Sequence, residues 1–473
     1  MARSVKAAVI GCGVTGISTV SQIVNDDRYT SNIQLDMYDK EALAGKGPAY
    51  RRDSSHLLIN IPSGEMYLGD DGSDYIQWLE SHGYPAARYT SRKQFGEYTR
   101  DKMESLVRDH ENVHFIPSMV EDVRFDSETG QFKLTADGMD KVYDFVFLTM
   151  GMLRYSDPYS LEGQEGYIQD PYPVEAVLDN LEGETGIIGS GLSAIDCARY
   201  LLLEGKKERI FIFSRSGEMP SVRGAHADIR LQYFTQKTLR SLVKDDEIPL
   251  SSLKHLFMRE MEANGVDHSL LTRRTGDTIQ DLKYDMEHPE AVGRLHYLIM
   301  ALNPIFSEVF QYLSRTDKRK FLEEYHPLID ENHSPMPKEA AVKLVEWADE
   351  GRLVIVDGME NVAAGDGFSI RTDEGENYRI DTLINATGPV KDIRKDMNGL
   401  IGALHDHQLI GRNEFGGIMV DRRRNVISPN VGTLEGMFAL GGLTVGADYM
   451  STSVWILIQN TKKLAGQFYD RLT

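Results

Sequence analysis

The sequence predicts an α/β protein with two Rossmann-like, doubly wound units and a helical insertion, and three observations carry that prediction. A short apolar strand, a glycine turn and an amphipathic helix follow one another over residues 6–24. The same order returns at residues 186–203. Between residues 223 and 351 the chain turns polar, with apolar residues at helical spacing and no further glycine fingerprint.

Ala7-Ala8-Val9-Ile10 opens the first segment, too short an apolar run for a helix and suited to a buried strand. It feeds Gly11-Cys12-Gly13-Val14-Thr15-Gly16, a G-x-G-x-x-G match in the strand-to-helix context that gives such a match meaning. Gly11 permits the tight turn, Gly13 lets a pyrophosphate reach the backbone, and Gly16 lets the helix pack on the strand. The phosphates would meet the positive end of the helix dipole, at the first-turn N–H groups of Val14 and Thr15. Ile33–Asp39 then alternates as a strand and ends in a carboxylate followed by Lys40. Asp39 lies 23 residues beyond Gly16, about the spacing of the acid that binds a ribose hydroxyl. A glycine loop packing against nothing is the alternative, and the strand–turn–helix order weighs against it.

At 473 residues the chain exceeds what one core holds, so two or three domains are expected. Hydrophobic residues make up 41% and charged residues 26%, the balance of a globular protein without low-complexity blocks. Its 52 basic and 72 acidic residues leave a net charge of −20, which weighs against a nucleic acid or an anionic membrane as partner. The two cysteines, Cys12 and Cys197, form no C-x-x-C pair. That excludes a disulfide reductase working through paired cysteines and fits a reducing compartment. The chain enters its first strand within a few residues and has no apolar run of about 18 residues. A cytoplasmic protein without a signal peptide is expected.

After Asp39, Gly45–Tyr50 is a loop of turn residues, followed by His56–Pro62 and Met66. A long loop with apolar and aromatic residues beside a dinucleotide site suits the wall of a flat ring, and an ordinary surface loop is the alternative. A helix is expected near Tyr75–Ser81 and another from Ser91-Arg92 to about Arg108. Val113–Ile116, Met119–Phe125 and Phe132–Ala136 read as short strands, and Tyr143–Thr149 as a buried strand ending at Gly151.

The second fingerprint is Gly189-Ser190-Gly191-Leu192-Ser193-Ala194, with alanine at the third position. The strand after it, Ile210–Ser214, ends in Arg215 where the first ended in an acid. An arginine there suits the 2′-phosphate of NADP, and a solvated strand-end charge is the alternative. Two nucleotide folds, one ending in Asp39 and one in Arg215, point to FAD in the first and NADPH in the second. Strands resume at Leu353–Val356, Phe368–Ile370 and Asp381–Gly388, the last closing in Thr387-Gly388. Gly436–Gly442 is a strand entering a glycine turn, Gly441-Gly442, and a helix of about Ser453–Tyr469 closes the chain. The expected division is an FAD-binding domain from 1–160 and 389–473 and an NADPH-binding domain from 161–225 and 351–388. A helical insertion occupies 226–350.

The motifs Gly11–Gly16, Gly45–Tyr50, His56–Pro62 with Met66, Arg92–Tyr98, Pro171-Tyr172-Pro173, Gly189–Asp196 and Ser214–Pro220 resemble those of two-dinucleotide-binding-domain flavoproteins. More narrowly they are similar to the YdhS-like FAD/NAD(P)-binding proteins, and the resemblance covers most of the chain. It implies FAD held by Gly11, Gly13, Gly16 and Asp39, with Gly47–Tyr50 and Leu58–Asn60 close to the flavin. It implies NADPH held by Gly189, Gly191, Ser193 and Arg215, with Leu192 and Ser214 beside them. Met66, Arg92, Gly151, Thr387, Gly388, Gly441 and Gly442 complete the candidate cofactor-binding positions. One departure concerns the C-terminal turn, where many flavoproteins carry Gly-Asp and this chain carries Gly441-Gly442.

Flavin-dependent N-hydroxylases of lysine and ornithine are more distant resemblances, and they imply a monooxygenase. NADPH would reduce FAD, and oxygen from O₂ would pass by way of a flavin peroxide to a small amine or amino-acid-like substrate. A dehydrogenase that acts without O₂ is a competing expectation, and a flavin-binding redox sensor is a third. No nucleophile pattern marks a catalytic residue. Arg223, His226 and Asp228 lie near the NADPH segment; His326, Asp330 and His333 match no metal-ligand spacing, so no metal is expected. His405 and His407 form an H-x-H on an expected loop, more consistent with solvated side chains than ligands.

Overall fold

A computed structural model describes residues 4–69 and 72–472. Its internal contacts divide the chain into two units. The first comprises Met1–Arg52, Pro62–Arg154 and Pro389–Thr473, and the second Asp53–Ile61 and Tyr155–Gly388.

The first unit is built on a six-stranded sheet in the order Asn425–Ser428, Gly432–Ala439, Phe145–Leu148, Val5–Ile10, Ile33–Tyr38, Val113–Ile116. All neighbours are parallel except the first pair. Parallel strands must be covered on both faces, which is why Ala7, Ala8, Val9, Val146, Phe147 and Leu148 are all apolar and fully buried. Helices Val14–Val24 and Val454–Asp470 pack together, tied by Ser18 Oγ and Thr461 Oγ1 at 2.7 Å and by Tyr469 OH donating to Ile23 O at 2.7 Å. A three-stranded antiparallel sheet, Val120–Asp126, Gln131–Ala136 and Met139–Tyr143, covers the other side.

The expected strand Tyr143–Thr149 is two strands. Tyr143 ends the antiparallel strand and Phe145–Leu148 is the parallel one. Asp144 makes the switch: its N–H donates to Lys6 O (2.8 Å) while its carboxylate accepts from Lys6 N (2.9 Å) and Gln131 Nε2 (3.0 Å).

The second unit carries a five-stranded parallel sheet in the order Leu353–Val356, Ile210–Phe213, Thr185–Ile188, Thr382–Asn385, Tyr167–Ile168. A three-stranded antiparallel sheet, Met359–Gly365, Gly367–Thr372 and Asn377–Ile380, lies beside it. Helices fill most of the stretch from Gln236 to Asp349, including the long Pro289–Val309. This stretch falls within the second unit and forms no compact unit of its own.

Asp53–Ile61, expected with the first domain, packs with the second unit. The physical reason is Asp53, buried, whose carboxylate accepts the Val174 and Glu175 N–H groups at 3.0 and 3.2 Å and so caps the start of helix Val174–Val177. Leu57 then joins the core of Val174, Leu178, Ala198 and Leu201. His405 sits in the last turn of helix Gly399–Asp406 and His407 at its C-cap, where a loop was expected. His407 Nε2 meets Asp122 Oδ1 at 2.8 Å.

Candidate functional site

In the first unit the strand Val5–Ile10 ends in a turn whose geometry assigns each glycine a different reason. Gly11 adopts φ +99, and a Cβ there would lie 2.6 Å from Thr149 O. A Cβ on Gly16 would collide with Gly11 O, so the helix lies directly on the turn. Gly13 has no such constraint: its φ is −78 and a Cβ would meet only Gly47, at an ordinary 3.5 Å. Folding requires glycine at 11 and 16 but not at 13. A ligand laid against the backbone at the N-terminus of helix Val14–Val24 does require it, and the unsatisfied first-turn N–H groups supply donors for a pyrophosphate.

Asp39 closes the cradle. Its carboxylate accepts Cys12 N–H at 2.8 Å and Lys40 N–H at 2.7 Å, which leaves lone pairs for ribose hydroxyls. Burial pushes its pKa up, and those two N–H groups oppose the shift. Gly45 N donates to Cys12 O at 2.9 Å, seating the Gly45–Tyr50 loop over the turn. Cys12 is buried, and burial with the nearby Asp39 charge pushes its thiol well up, so it is inert rather than nucleophilic.

The C-terminal turn joins the same cradle. A Cβ on Gly441 would stand 3.3 Å from Thr15 Oγ1, and one on Gly442 would strike Gly151 O. Gly442 therefore has no room for the aspartate found at this turn in the flavoproteins it resembles. Thr444 Oγ1, two residues on, donates to buried Asp448 (3.3 Å), and Arg424 grips Asp448 through Nε (3.1 Å) and Nη2 (3.0 Å). Arg424 and Asp448 carry no sequence signal, because Arg422-Arg423-Arg424 reads as a solvated charge run. Met66 is buried in this unit, and Tyr50, whose hydroxyl pKa burial pushes up against the Arg92 charge, stacks edge-on with Phe95 at 4.8 Å.

The second unit repeats the logic. Gly189 adopts φ +105 with Ala386 O 2.7 Å from its would-be Cβ. Gly191 has φ −77 and open space around a Cβ, so folding does not require glycine there. Leu192 and Ser193 begin the helix Leu192–Leu203, and Ala194 replaces the third glycine without a clash because its side chain is absorbed into the core. Thr387 N and Oγ1 donate to Asn385 Oδ1 (3.2 and 2.7 Å), which shapes the turn into Gly388. Ser214 is buried while Arg215 is exposed, makes no side-chain hydrogen bond or ion pair among the described residues, and lies near Tyr159. Leu58 and Asn60, expected beside the first cradle, belong to this unit, where Asn60 O accepts from Arg223 Nη2 at 3.0 Å. The structure therefore assembles Gly11, Gly13, Thr15, Gly16, Asp39, Gly47, Gly151, Gly441 and Gly442 into one cradle, and Gly189, Gly191, Thr387 and Gly388 into another.

Of the substrate candidates, Arg223 is buried, His226 packs edge-on against Tyr297 at 4.6 Å, and Asp228 is exposed. His326, Asp330 and His333 lie on one helix, with burial pushing the His333 pKa down. Among the described residues no group of three or more His, Cys, Asp or Glu side chains is arranged to hold a metal ion, and no helix is long and apolar enough to cross a membrane.

Residues 8–153 match a family model described as FAD-NAD(P)-binding. The chain is 21% identical over 465 residues to the uncharacterized protein YdhS of Escherichia coli strain K12, covering 82% of this chain and 84% of that one. Ornithine hydroxylase (PvdA) of Pseudomonas aeruginosa matches it with a TM-score of 0.59 at 13% identity, covering 99% of this chain and 100% of that one. L-lysine 6-monooxygenase of Pseudomonas syringae matches with a TM-score of 0.58 at 13% identity, over 99% of both chains. The chain shares its fold with these two hydroxylases, and residues 8–153 match the FAD-NAD(P)-binding family model.

Proposed function

We propose that the protein is an FAD- and NADPH-dependent oxidoreductase, and that it works as a monooxygenase on a small amine or amino-acid-like molecule. The observation that carries the reading is the pair Gly13 and Gly191, glycines that folding does not require, each at the N-terminus of a long helix in its own unit. Val14 and Thr15 donate N–H groups to the FAD pyrophosphate, and Asp39 accepts the adenosine ribose hydroxyls. Leu192 and Ser193 do the same for the NADPH pyrophosphate, and Arg215 pairs with its 2′-phosphate. When bound, FAD takes electrons from the nicotinamide and supplies the oxygen chemistry. The chain's residues bind and orient the cofactors, and the Gly441–Thr444 turn closes the first cradle without contributing a carboxylate. The fold shared with the ornithine and lysine hydroxylases named above supports the choice of a monooxygenase.

The test is anaerobic reduction of the purified yellow protein by NADPH, followed by oxygenated buffer in a stopped-flow spectrometer. A transient distinct from both reduced and oxidised flavin is expected for an oxygenase that shelters its chemistry from water. Direct return to oxidised flavin, with and without candidate amines, would favour a dehydrogenase. No reduction at all would sink the assignment of NADPH to the second unit.

A further inference from the structure

The loop Ser214–Glu218 follows the strand Ile210–Phe213 and presents Arg215. Its first half is fastened to the neighbouring strand end: Ser214 N donates to Val356 O (3.1 Å), Met359 N to Ser214 O (3.0 Å) and Gly358 N to Arg215 O (3.2 Å). Its second half is fastened to the helical stretch. Thr278 Oγ1 donates to Gly217 O at 2.7 Å, a buried bond between residues 61 apart in sequence. Arg274 Nη2 reaches Met219 O at 3.4 Å, and Val222 N donates to Asp285 Oδ2 at 3.0 Å.

Gly217 is the pivot of this loop. It is buried at φ +69, and its N–H donates to Ser214 Oγ at 2.8 Å while its carbonyl accepts from Thr278. The Ser214 hydroxyl is thereby held on one side of the Gly217 unit and Thr278 on the other, with Arg215 between the fixed points. Thr278 is the first residue of helix Thr278–Glu287, but Asp277 already caps that helix by accepting Gln280 N–H at 3.1 Å. The Thr278 hydroxyl is not needed for its own helix.

We infer that Thr278 is a positioning residue for recognition of the ribose 2′-phosphate of NADPH, acting through the Gly217 carbonyl on the loop that presents Ser214 and Arg215. The inference rests on the proposed placement of that phosphate at Arg215. An arginine at a loop tip retains many rotamers, and a loop already set in its bound shape loses less entropy when the phosphate arrives. The pyrophosphate cradle at Gly191 lies on a different turn and does not depend on Thr278. The discrimination between NADPH and NADH is therefore set partly from the helical stretch, by a residue that touches neither cofactor.

The experiment measures dissociation constants of NADP⁺ and NAD⁺ by calorimetry on the full-length, FAD-loaded protein, for Thr278→Val, Thr278→Ser and Arg215→Ala. Loss of one buried hydrogen bond predicts NADP⁺ binding weakened about five- to tenfold in Thr278→Val, with NAD⁺ binding unchanged. Thr278→Ser, which keeps the hydroxyl, retains the preference. If Thr278→Val weakens both nucleotides equally, or neither, while Arg215→Ala weakens NADP⁺ alone, the inference is overturned and the 2′-phosphate site stands. If Arg215→Ala leaves the preference untouched, the phosphate placement fails and takes the inference with it. Should Thr278→Val fail to fold, Thr278→Ala is read in its place.

Discussion

Gly13 and Gly16 stand three positions apart and answer to different demands. Gly16 is pressed against Gly11 O, whereas Gly13 borders open cradle. Gly13→Val is expected to leave the melting of the flavin-free protein nearly unchanged while abolishing bound FAD, read as loss of visible absorbance at full far-UV signal. Gly16→Val is expected to reduce folded yield itself; a soluble, flavin-loaded Gly16→Val would refute the packing argument. Glu331 offers a different kind of test. Burial, the negative charge of Glu218 and the hydrogen bond that the protonated Glu331 carboxyl donates to Glu218 push its pKa from 4.5 up to about 7, against the Arg274 charge. Because the folded-state pKa lies above the unfolded one, the folded chain holds this proton more tightly. The stability it contributes is full below about pH 4.5 and is lost as pH rises through 7, by at most about 3 kcal/mol. The melting temperature of the wild type relative to Glu331→Gln should therefore fall between pH 5 and pH 8, and parallel pH profiles would refute the assignment. None of this was legible in the sequence, since Glu218 and Glu331 are 113 positions apart.

Among the elements, the helix Leu250–Ala263 carries a side chain that organises a loop far from it in sequence. Glu260, fully buried, accepts the N–H groups of Gln232, Tyr233 and Phe234 on one oxygen, at 2.8, 2.5 and 2.7 Å. Its other oxygen takes a 3.3 Å hydrogen bond from Asn264 Nδ2. Leaving buried donors unsatisfied costs roughly 1–3 kcal/mol each, so Glu260→Ala is expected to destabilise the protein by at least about 3 kcal/mol. Glu260→Gln keeps an acceptor and should cost far less; equal losses in calorimetric melting would argue against the loop-holding role. The helices themselves were readable from apolar spacing, and the strand–turn–helix segments from their glycines. The break at Asp144 was not, because Tyr143–Thr149 is apolar enough to pass as one strand and the signal is a side chain hydrogen-bonding across to Lys6. Periodicity reports which face is buried, not which sheet a strand joins.

For the molecule as a whole, the two fingerprints and the contrast between Asp39 and Arg215 were enough to anticipate two nucleotide folds, and the similarity to two-dinucleotide-binding-domain flavoproteins agrees with that reading. What local pattern could not disclose was the allegiance of Asp53–Ile61, which turns on one carboxylate capping a helix more than a hundred residues away. The chain passes between the units at residues 52–53, 61–62, 154–155 and 388–389. On the ribosome this order has a consequence. Every strand of the second unit has been made once Asn385 is synthesised, whereas the strand Gly432–Ala439, hydrogen-bonded to Phe145–Leu148 in the first unit, has not. The early-made strand Phe145–Leu148 must therefore wait for the last strand of the chain, one edge open to solvent or a chaperone, while the second unit can fold in between.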